Sequence, residues 1–305
     1  MRIGIIGGPG GTVGTLEEII TDVVRAEEEG FAMYAMANAF SYDAMTVLGI
    51  AGQRTSRIEL VTSVVPTYPR HPTALAQQAL TTQIACGGRF TLGIGLSHKV
   101  VIEDMLGMSF EGPARHLREY LAVLLPLLNE KSVRFAGEQY RSKLALDLAE
   151  AQPVPCLVAA LGPVMLKLAG QLTAGTNLWM VGAKTLESHI APRLRAAAAE
   201  AGRPEPRIHA GVSAMLTSDV EAARARAARA FQIYGTLPSY RAMLDREGVD
   251  GPGDLALIGG EREIEAGLRA LKSAGATELC ISLFGRPDDR ERTRAFVASL
   301  ARSGQ

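Results

Sequence analysis

Three polar side chains, Tyr68, Arg70 and His71, lie in a corner between a predicted buried strand and a predicted helix. The strand pattern is RIELVTSVV, and the helix pattern begins at about Thr73. A link between a strand and the following helix usually needs only about 2–6 residues. The extra length and the polar side chains therefore indicate a role beyond connection. The imidazole of His71, directly before Pro72, is expected to fix the corner by hydrogen bonding.

Other short segments that are rich in glycine, small or polar residues also follow predicted strands. They are residues 7–11, 38–42, 95–98, 160–162, 180–183 and 285–286. Such segments fit a large planar cofactor better than an acid–base pair, because bare backbone lets a flat ligand approach closely. The amides near Gly162, at the start of a predicted helix, suit a phosphate or another anion.

The motifs of several common reaction classes are absent from the sequence. The glycines at 7–11 lack the spacing of a dinucleotide fingerprint and of a P-loop. The five histidines form no pair at metal-ligand spacing, no Gly-x-Ser-x-Gly elbow occurs, and no lysine lies centrally at a strand end. We therefore expect no metal site, no serine hydrolase and no Schiff-base aldolase. The residues alone leave open whether His98 is an ordinary loop histidine or a functional one.

The elements that position these segments alternate between strand and helix. RIGII is a short apolar strand, and Thr15 with Glu18 has the spacing of a capping box before a helix with one apolar face. Gly30 suits the left-handed end of that helix, and FAMYAM follows as the next strand. The remaining predicted strands are RIELVTSVV, RFTLGIG, VPCLVAA, TNLWMV, RIHAGVSAML and ELCISLF.

Eight largely apolar strands with intervening helices predict a parallel sheet of class α/β that is covered on its outer face. Eight such units in 305 residues fit a (β/α)₈ TIM barrel better than an open doubly wound sheet, which remains the alternative. Residues 131–152, with a hairpin-like pattern, and 235–260 are predicted insertions. The chain 1–305 is predicted to be one domain, with its active site at the C-terminal ends of the strands.

Composition excludes several partners. Lysine plus arginine number 32, as do aspartate plus glutamate, and this zero net charge argues against nucleic acid or an anionic membrane as partner. Cys86, Cys156 and Cys280 lie far apart, so we expect free, buried thiols in a reducing compartment. No signal-peptide pattern and no apolar run of about 18 residues are present. We therefore expect a soluble, cytoplasmic protein.

Three blocks of the sequence resemble one known family. They are TSRIELVTSVVPTYPRHPTALAQQALTTQIACGGRFTLGIGLSH at 55–98, LVAALGPVMLKLAGQLTAGT at 157–176, and GGEREI with LKSAGATEL near the C-terminus. All three are similar to the luciferase-like (bacterial luciferase superfamily) oxidoreductases, in particular to those that use the deazaflavin coenzyme F-420. The resemblance runs in order over nearly the whole chain.

The resemblance implies a set of cofactor-binding residues. In related enzymes a non-proline cis peptide at the end of the third strand supports the back of the deazaflavin ring, and the matching bond here is Ser63-Val64. The segments 160–162 and 180–183 would line the ring edge and the phosphate-bearing tail. The residues expected to bind the cofactor are Asn38, Ser63, Val64, Val65, Gly95, Ala160, Leu161, Gly162, Met180, Val181, Gly182 and Ala183.

One departure from the family pattern changes the expected reaction. Many relatives carry Asp-His after the second strand, whereas this chain has Asn38-Ala39 within MANAF. His98 stands where some relatives place a catalytic glutamate. We therefore expect a reductase that transfers hydride from reduced F-420 to an activated C=C or C=N bond. His98 is the hypothetical catalytic proton donor, because imidazole changes protonation near pH 7; water is the other possible source.

Two other functions remain open at this point. The same barrel could use reduced FMN and oxygen as a monooxygenase, because flavin has the ring nitrogen that permits oxygen activation and deazaflavin has carbon there. The third hypothesis is a non-catalytic flavin-binding protein, which is supported by the absence of Asp-His after the second strand. The resemblance also implies a homodimer.

Overall fold

Eight parallel strands close into a barrel in the computed structural model, which describes residues 2–8 and 14–303. The strands are β1 (Arg2–Gly7), β2 (Met33–Met36), β3 (Glu59–Thr62), β4 (Val65–Pro66), β5 (Phe90–Gly95), β6 (Ser132–Ala136), β7 (Arg141–Ala145), β8 (Cys156–Val158), β9 (Gly175–Trp179), β10 (Arg207–Leu216), β11 (Leu257–Gly259) and β12 (Glu278–Leu283). The barrel order is β1, β2, β3, β5, β8, β9, β10 and β12, and β12 pairs with β1 to close it. The predicted TIM barrel and its eight strands are confirmed.

Helices connect the strands and cover the outer face of the barrel. They are α1 (Leu16–Glu28), α2 (Ala44–Gly52), α3 (Pro72–Ala85), α4 (Pro113–Glu130), α5 (Pro163–Leu172), α6 (Ala183–Thr185), α7 (Ala191–Glu200), α8 (Val220–Ala230), α9 (Gln232–Thr236), α10 (Pro238–Glu247), α11 (Glu261–Ser273) and α12 (Pro287–Ser303). Two π-helical turns, Val100–Met105 and Leu186–Ile190, and one 3₁₀ turn, Pro252–Leu255, complete the described elements. Within the described ranges, no helix combines the length and the apolar character needed to cross a membrane.

Local sequence signals account for several of these boundaries. Thr15 accepts a hydrogen bond from the amide of Glu18, whose carboxylate accepts one from the amide of Thr15, as the capping-box spacing predicts. Gly30 follows α1 with a φ of +87°, in the left-handed region. His71 is the N-cap of α3 and accepts from the amide of Thr73, which confirms its expected role at the corner. The three cysteines are buried and free, as predicted.

The first predicted insertion is an antiparallel hairpin formed by β6 and β7. The Glu119 carboxylate of α4 accepts hydrogen bonds from the amides of Glu138, Gln139 and Tyr140 in its turn, at 3.1, 2.8 and 3.1 Å. Burial works toward a higher pKa for Glu119, but these three amides outweigh it and hold the pKa below its usual value. The hairpin is thereby anchored on the outer helix layer.

A network of charged groups fills the N-terminal end of the barrel. Arg207 donates to Glu278 at 2.7 Å and to Glu59 at 2.8 Å, and Arg2 pairs with both carboxylates. His209, fully buried, lies 3.2 Å from the Glu278 carboxylate. Burial would raise the pKa of Glu278, but hydrogen bonds from His209 and Arg207 and the charge of Arg207 lower it to about 2. Opposite charges thus balance at the end of the barrel that faces away from the candidate site.

Candidate active site at the C-terminal end of the barrel

Small side chains line the interior of the barrel close to its C-terminal end. A Cβ atom at Gly211 of β10 would lie 2.8 Å from the Trp179 ring and 3.2 Å from Cδ1 of Ile6. A Cβ at Gly93 of β5 would lie 2.0 Å from the carbonyl oxygen of Thr62. Glycine at these two positions therefore permits close approach of neighbouring groups inside the barrel. The indole of Trp179 uses that space to lie over β10.

The chain between β3 and β4 forms a corner at the mouth of the barrel. The Ser63-Val64 peptide bond is cis, as the resemblance implied. The Ser63 hydroxyl donates to Oδ1 of Asn177 at 3.1 Å, which links the corner to β9 across the interior. A Cβ at Gly95 would lie 2.8 Å from Cγ2 of Val64, so the Val64 side chain rests on the bare backbone of β5. The sequence RIELVTSVV, read as one strand, is divided at this corner.

The Ser213 hydroxyl is a buried polar group inside this end of the barrel. Ser213 is only 2% exposed, and its Oγ has no hydrogen-bond partner among the described residues. Ser213 follows Gly211 by two positions on β10, so both face the interior, because alternate residues of a strand share a face. Most buried polar side chains in native proteins have a partner, and an exception calls for an explanation such as a ligand or water. Ser213 is therefore a candidate contact for a bound molecule.

Six aromatic rings form a connected series at the mouth, which we call the aromatic arc. Its members in order are His98, Tyr240, Tyr234, Trp179, Phe231 and Phe284, and the centroids of successive rings are 5.8, 5.0, 6.2, 6.2 and 5.7 Å apart. Most of these contacts are edge-to-face, the geometry that aromatic pairs prefer. His98, Trp179 and Phe284 come from the ends of β5, β9 and β12, and the other three come from the stretch 231–240. The arc thus joins three barrel strands to the segment that follows α8.

Two helix starts at the mouth differ in what their amides bind. The backbone amides of Lys184 and Thr185 donate to the carboxylate of Glu247 on α10, at 3.1 and 2.7 Å. A Cβ at Gly182 would lie 2.2 Å from that carboxylate carbon. At Gly162, by contrast, a Cβ would meet no atom within 4 Å before α5 begins. The chain's own carboxylate fills the first start, whereas the second has space for an anion.

The segment 160–162 is held in place by His189. The Nε2 atom of His189 lies 2.8 Å from the carbonyl oxygen of Leu161. A carbonyl only accepts hydrogen bonds, so Nε2 must carry the proton. Burial lowers the pKa of His189, which favours this neutral form. His189 thus positions the backbone that the resemblance assigns to the cofactor.

Replacing His189 by alanine is expected to loosen the segment 160–162 and to raise the dissociation constant of the cofactor that the resemblance implies about tenfold, the cost of roughly one such hydrogen bond. His189→Gln keeps an N–H donor near the Nε2 position and is expected to restore most of the affinity. Titration of both variants, followed by the change in F-420 absorbance, measures the effect. Equal affinity of His189→Ala and the parent protein would contradict the positioning role.

The remaining predicted site residues occupy different environments. Asn38 is half-buried, and its side-chain oxygen accepts from the amide of Ala44 at 2.9 Å. Met180 is buried with a φ of +53°, and Leu161 and Ala183 pack partly against the core of the outer layer. The side chains that belong to that core, and so leave only their backbone for the mouth, are those of Val65, Ala160 and Val181. Residues 9–11 of the glycine segment lie outside the described residues.

The corner residues Tyr68 and Arg70 are engaged with the protein itself. The Tyr68 ring is stacked on His116, with centroids 3.9 Å apart and planes 2° apart. Arg70 pairs with Asp43 at 2.5 Å, and Asp43 also caps α2. Burial lowers the pKa of His116 to about 4, which keeps its ring neutral. These contacts fix the outer side of the corner.

Sequence reasoning missed several groups of the site. Asn177 and Trp179 are two positions apart on β9. Because alternate residues of a strand share a face, the strand pattern would have placed both inside the barrel. Ser213 could have been found by the same argument on β10. Tyr234, Tyr240 and Glu247 lie in or beside a predicted insertion, whose position the sequence does not give. Across the part of the chain that the structure describes, no three histidine, cysteine, aspartate or glutamate side chains are grouped to hold a metal ion.

Comparison with known proteins finds similarity to one family model, to curated relatives and to solved structures. The family model described as luciferase-like monooxygenase matches residues 3–278. The F-420-dependent glucose-6-phosphate dehydrogenase of Kineococcus radiotolerans is 30% identical over 285 residues, which cover 87% of this chain and 82% of that protein. The 5,10-methylenetetrahydromethanopterin reductase of Methanolobus tindarius is 28% identical over 87% of this chain and 81% of its own. The solved structure of the coenzyme F-420-dependent tetrahydromethanopterin reductase of Methanopyrus kandleri superposes with a TM-score of 0.81, at 24% identity and 97% coverage of both chains.

Proposed function

The chain belongs to the luciferase-like monooxygenase family of oxidoreductases, and from this premise we propose that it is an F-420-dependent reductase acting on an activated C=C or C=N bond of a small organic molecule. The observation that carries the proposal is the contact of the Val64 side chain with the bare backbone at Gly95, beside a mouth lined by glycines and backbone amides. The name of the Kineococcus radiotolerans relative, at 30% identity over 87% of this chain, supports F-420 as the cofactor.

The residues at the mouth fit a planar cofactor with an anionic tail. Val64 and Gly95 would support the back of the ring, and the Ser213 hydroxyl offers a hydrogen bond to a polar ring edge. The open start of α5 at Gly162 would receive the phosphate, because amides at a helix start favour negative charge. The Glu247 carboxylate disfavours a phosphate at 182–185, because the amides there already bind it. Gly182 is therefore expected to shape the cofactor site without binding the phosphate.

The reaction requires a hydride at one atom of the substrate double bond and a proton at the other. Reduced F-420, when bound, supplies the hydride and is thereby oxidised by two electrons. His98 lies beside Tyr240 at the edge of the mouth, and burial lowers its pKa below the usual value of about 6.5. The ring is therefore neutral at pH 7 and gives up the proton more readily once protonated.

Replacing His98 by alanine is expected to reduce the rate constant of substrate reduction by about 10²–10⁴-fold, the usual contribution of a general acid. Affinity for F-420 should change little. Because burial lowers the pKa of His98, its charged form is populated mainly below pH 6.5. The rate of the parent enzyme should therefore rise as the pH falls through that range. The rate of His98→Ala should not. Single-turnover kinetics across pH measures both; a parental rate in His98→Ala would show that water supplies the proton.

Parallel titrations of the purified protein with F-420 and with FMN test the proposed cofactor. We expect micromolar binding of F-420 and much weaker binding of FMN. Preference for FMN would instead support the monooxygenase alternative, which the name of the family model also favours. Binding of F-420 without turnover of any acceptor would support a non-catalytic flavin-binding protein.

Assembly and location also belong to the proposal. We propose a homodimer, as in the resemblance stated above, and sedimentation equilibrium of the purified chain tests it. A cytoplasmic location is proposed from the three free cysteines, which suit a reducing compartment. Fractionation of cells that express the chain tests that location.

A further inference from the structure

Several of the exposed apolar side chains lie in segments that come after the C-terminal ends of barrel strands. We call them the apolar rim, which consists of Phe40, Val100, Met105, Leu106, Met108, Val164 and Ile233. Phe40 is 73% exposed, Ile233 60% and Met105 58%. Six of them lie in the loops, the π-helical turn or the first helical turn that come after a barrel strand, and Ile233 lies in α9, which follows α8.

The aromatic arc carries no net charge at neutral pH. Burial raises the pKa of the Tyr234 and Tyr240 hydroxyls and lowers that of the His98 ring, so all three stay neutral. Of the charged groups nearby, Lys99 pairs with Glu103 at 3.6 Å, and Glu247 is held by backbone amides. Arg286, after β12, is exposed to solvent. Within the described residues, the arc itself presents rings and hydroxyls rather than charges.

We propose that the substrate is an uncharged, apolar molecule with a planar conjugated system, bound between the aromatic arc and the apolar rim. The inference rests on the proposed function only for the C=C or C=N bond that reacts. The evidence for an apolar, planar substrate is separate, because it comes from the aromatic arc and the apolar rim. Flat rings gain from edge and face contacts with Trp179 and Tyr234. A phosphorylated sugar would lose hydration against these rings, and no charged group belongs to the arc itself to compensate for that loss.

Binding of matched probes tests the substrate class. The probes are benzalacetone (4-phenyl-3-buten-2-one), the equally flat but anionic cinnamate, and glucose 6-phosphate. We expect benzalacetone to bind at least about tenfold more tightly than cinnamate, and glucose 6-phosphate to bind more weakly still. Equilibrium dialysis gives the affinities. Quenching of Trp179, the single tryptophan of the chain, reports whether the probe reaches the arc.

Variants locate the bound probe. Phe231→Ala and Ile233→Asp are expected to weaken benzalacetone binding about tenfold, the latter through a residue so exposed that folding should not depend on it. Phe296→Leu, on the outer helix α12, is the control and should bind like the parent. Parental affinity in both Phe231→Ala and Ile233→Asp, or tighter binding of either anionic probe, would overturn the proposal.

Repeating the dialysis with F-420 present separates this inference from the proposed function. Retained or stronger benzalacetone binding supports a substrate site beside the cofactor. Displacement of benzalacetone by F-420 would mean that the probe occupies the place of the cofactor ring, which overturns the inference. If F-420 does not bind at all while benzalacetone binding still depends on Phe231, the cofactor proposal fails and the substrate class stands.

Discussion

Gly95→Val is expected to abolish measurable F-420 binding, raising the dissociation constant at least about 100-fold, which corresponds to a loss of about 2.7 kcal/mol. The Cβ alone would lie 2.8 Å from Cγ2 of Val64 and 3.2 Å from Cβ of Ala159, and valine adds two further methyl groups. Because Val64 belongs to the corner that we assign to the back of the ring, the substitution must displace that corner or the end of β5.

Overpacking also lowers stability, typically by about 1–3 kcal/mol, so the Gly95 variant must be shown to be folded when affinity is measured. Circular dichroism and urea denaturation give that check. Gly251→Ala is the matched control, because its φ of −148° suits any residue and a Cβ there meets no atom within 4 Å. If the folded Gly95 variant binds F-420 like the parent, the cofactor ring does not rest on this corner.

Glu278→Ala is expected to lower the free energy of unfolding by about 3–5 kcal/mol, the usual cost of removing one partner from a buried ion pair. Glu278 is 1% exposed and receives Arg207 at 2.7 Å and Arg2 at 3.0 Å. Its loss leaves the buried part of Arg207 with only Glu59 to balance it. Urea denaturation at pH 7 measures the change.

The control is Glu265→Ala, which removes an exposed pair with Arg269 on α11. An exposed pair contributes about 0–1 kcal/mol, so this variant should unfold close to the parent midpoint. Similar losses in Glu278→Ala and Glu265→Ala would mean that the charged network at the N-terminal end of the barrel adds no more stability than a surface ion pair.

The lowered pKa of Glu278 also predicts how the free energy of unfolding depends on pH. The folded pKa of Glu278 is about 2, below the 4.5 of an unperturbed glutamate, so its contribution is present above pH 4.5 and is lost as the pH falls toward 2. The parent should therefore lose stability over that acidic range more steeply than Glu278→Ala. Parallel pH profiles would contradict this assignment.

Most of the barrel could be predicted because its signals are local. Capping residues, the glycine after α1 and the apolar strands each depend on a few neighbouring residues. The break inside RIELVTSVV could not be read from hydrophobicity, because apolar pairs, Leu60-Val61 and Val64-Val65, stand on both sides of Thr62-Ser63. It was correctly expected only from the resemblance.

The candidate site could be predicted less completely because its contacts are long-range. Glu247 reaches amides that lie more than 60 positions earlier, and no local pattern relates the two. The aromatic arc likewise depends on how the stretch 231–240 returns over the barrel. Ser63 and Gly95, by contrast, follow directly from the rule that active sites lie at the C-terminal ends of barrel strands.

Three members of the aromatic arc, Phe231, Tyr234 and Tyr240, come from one stretch of ten residues between β10 and β11. The strands that would hold the cofactor contribute none of these three rings. Exchange of this single stretch would therefore change which molecules are accepted while the barrel and the cofactor contacts stay as they are. For engineering, the stretch 231–240 is the segment to randomise when a different substrate range is wanted. Among relatives, we expect differences in substrate range to follow differences in this stretch first.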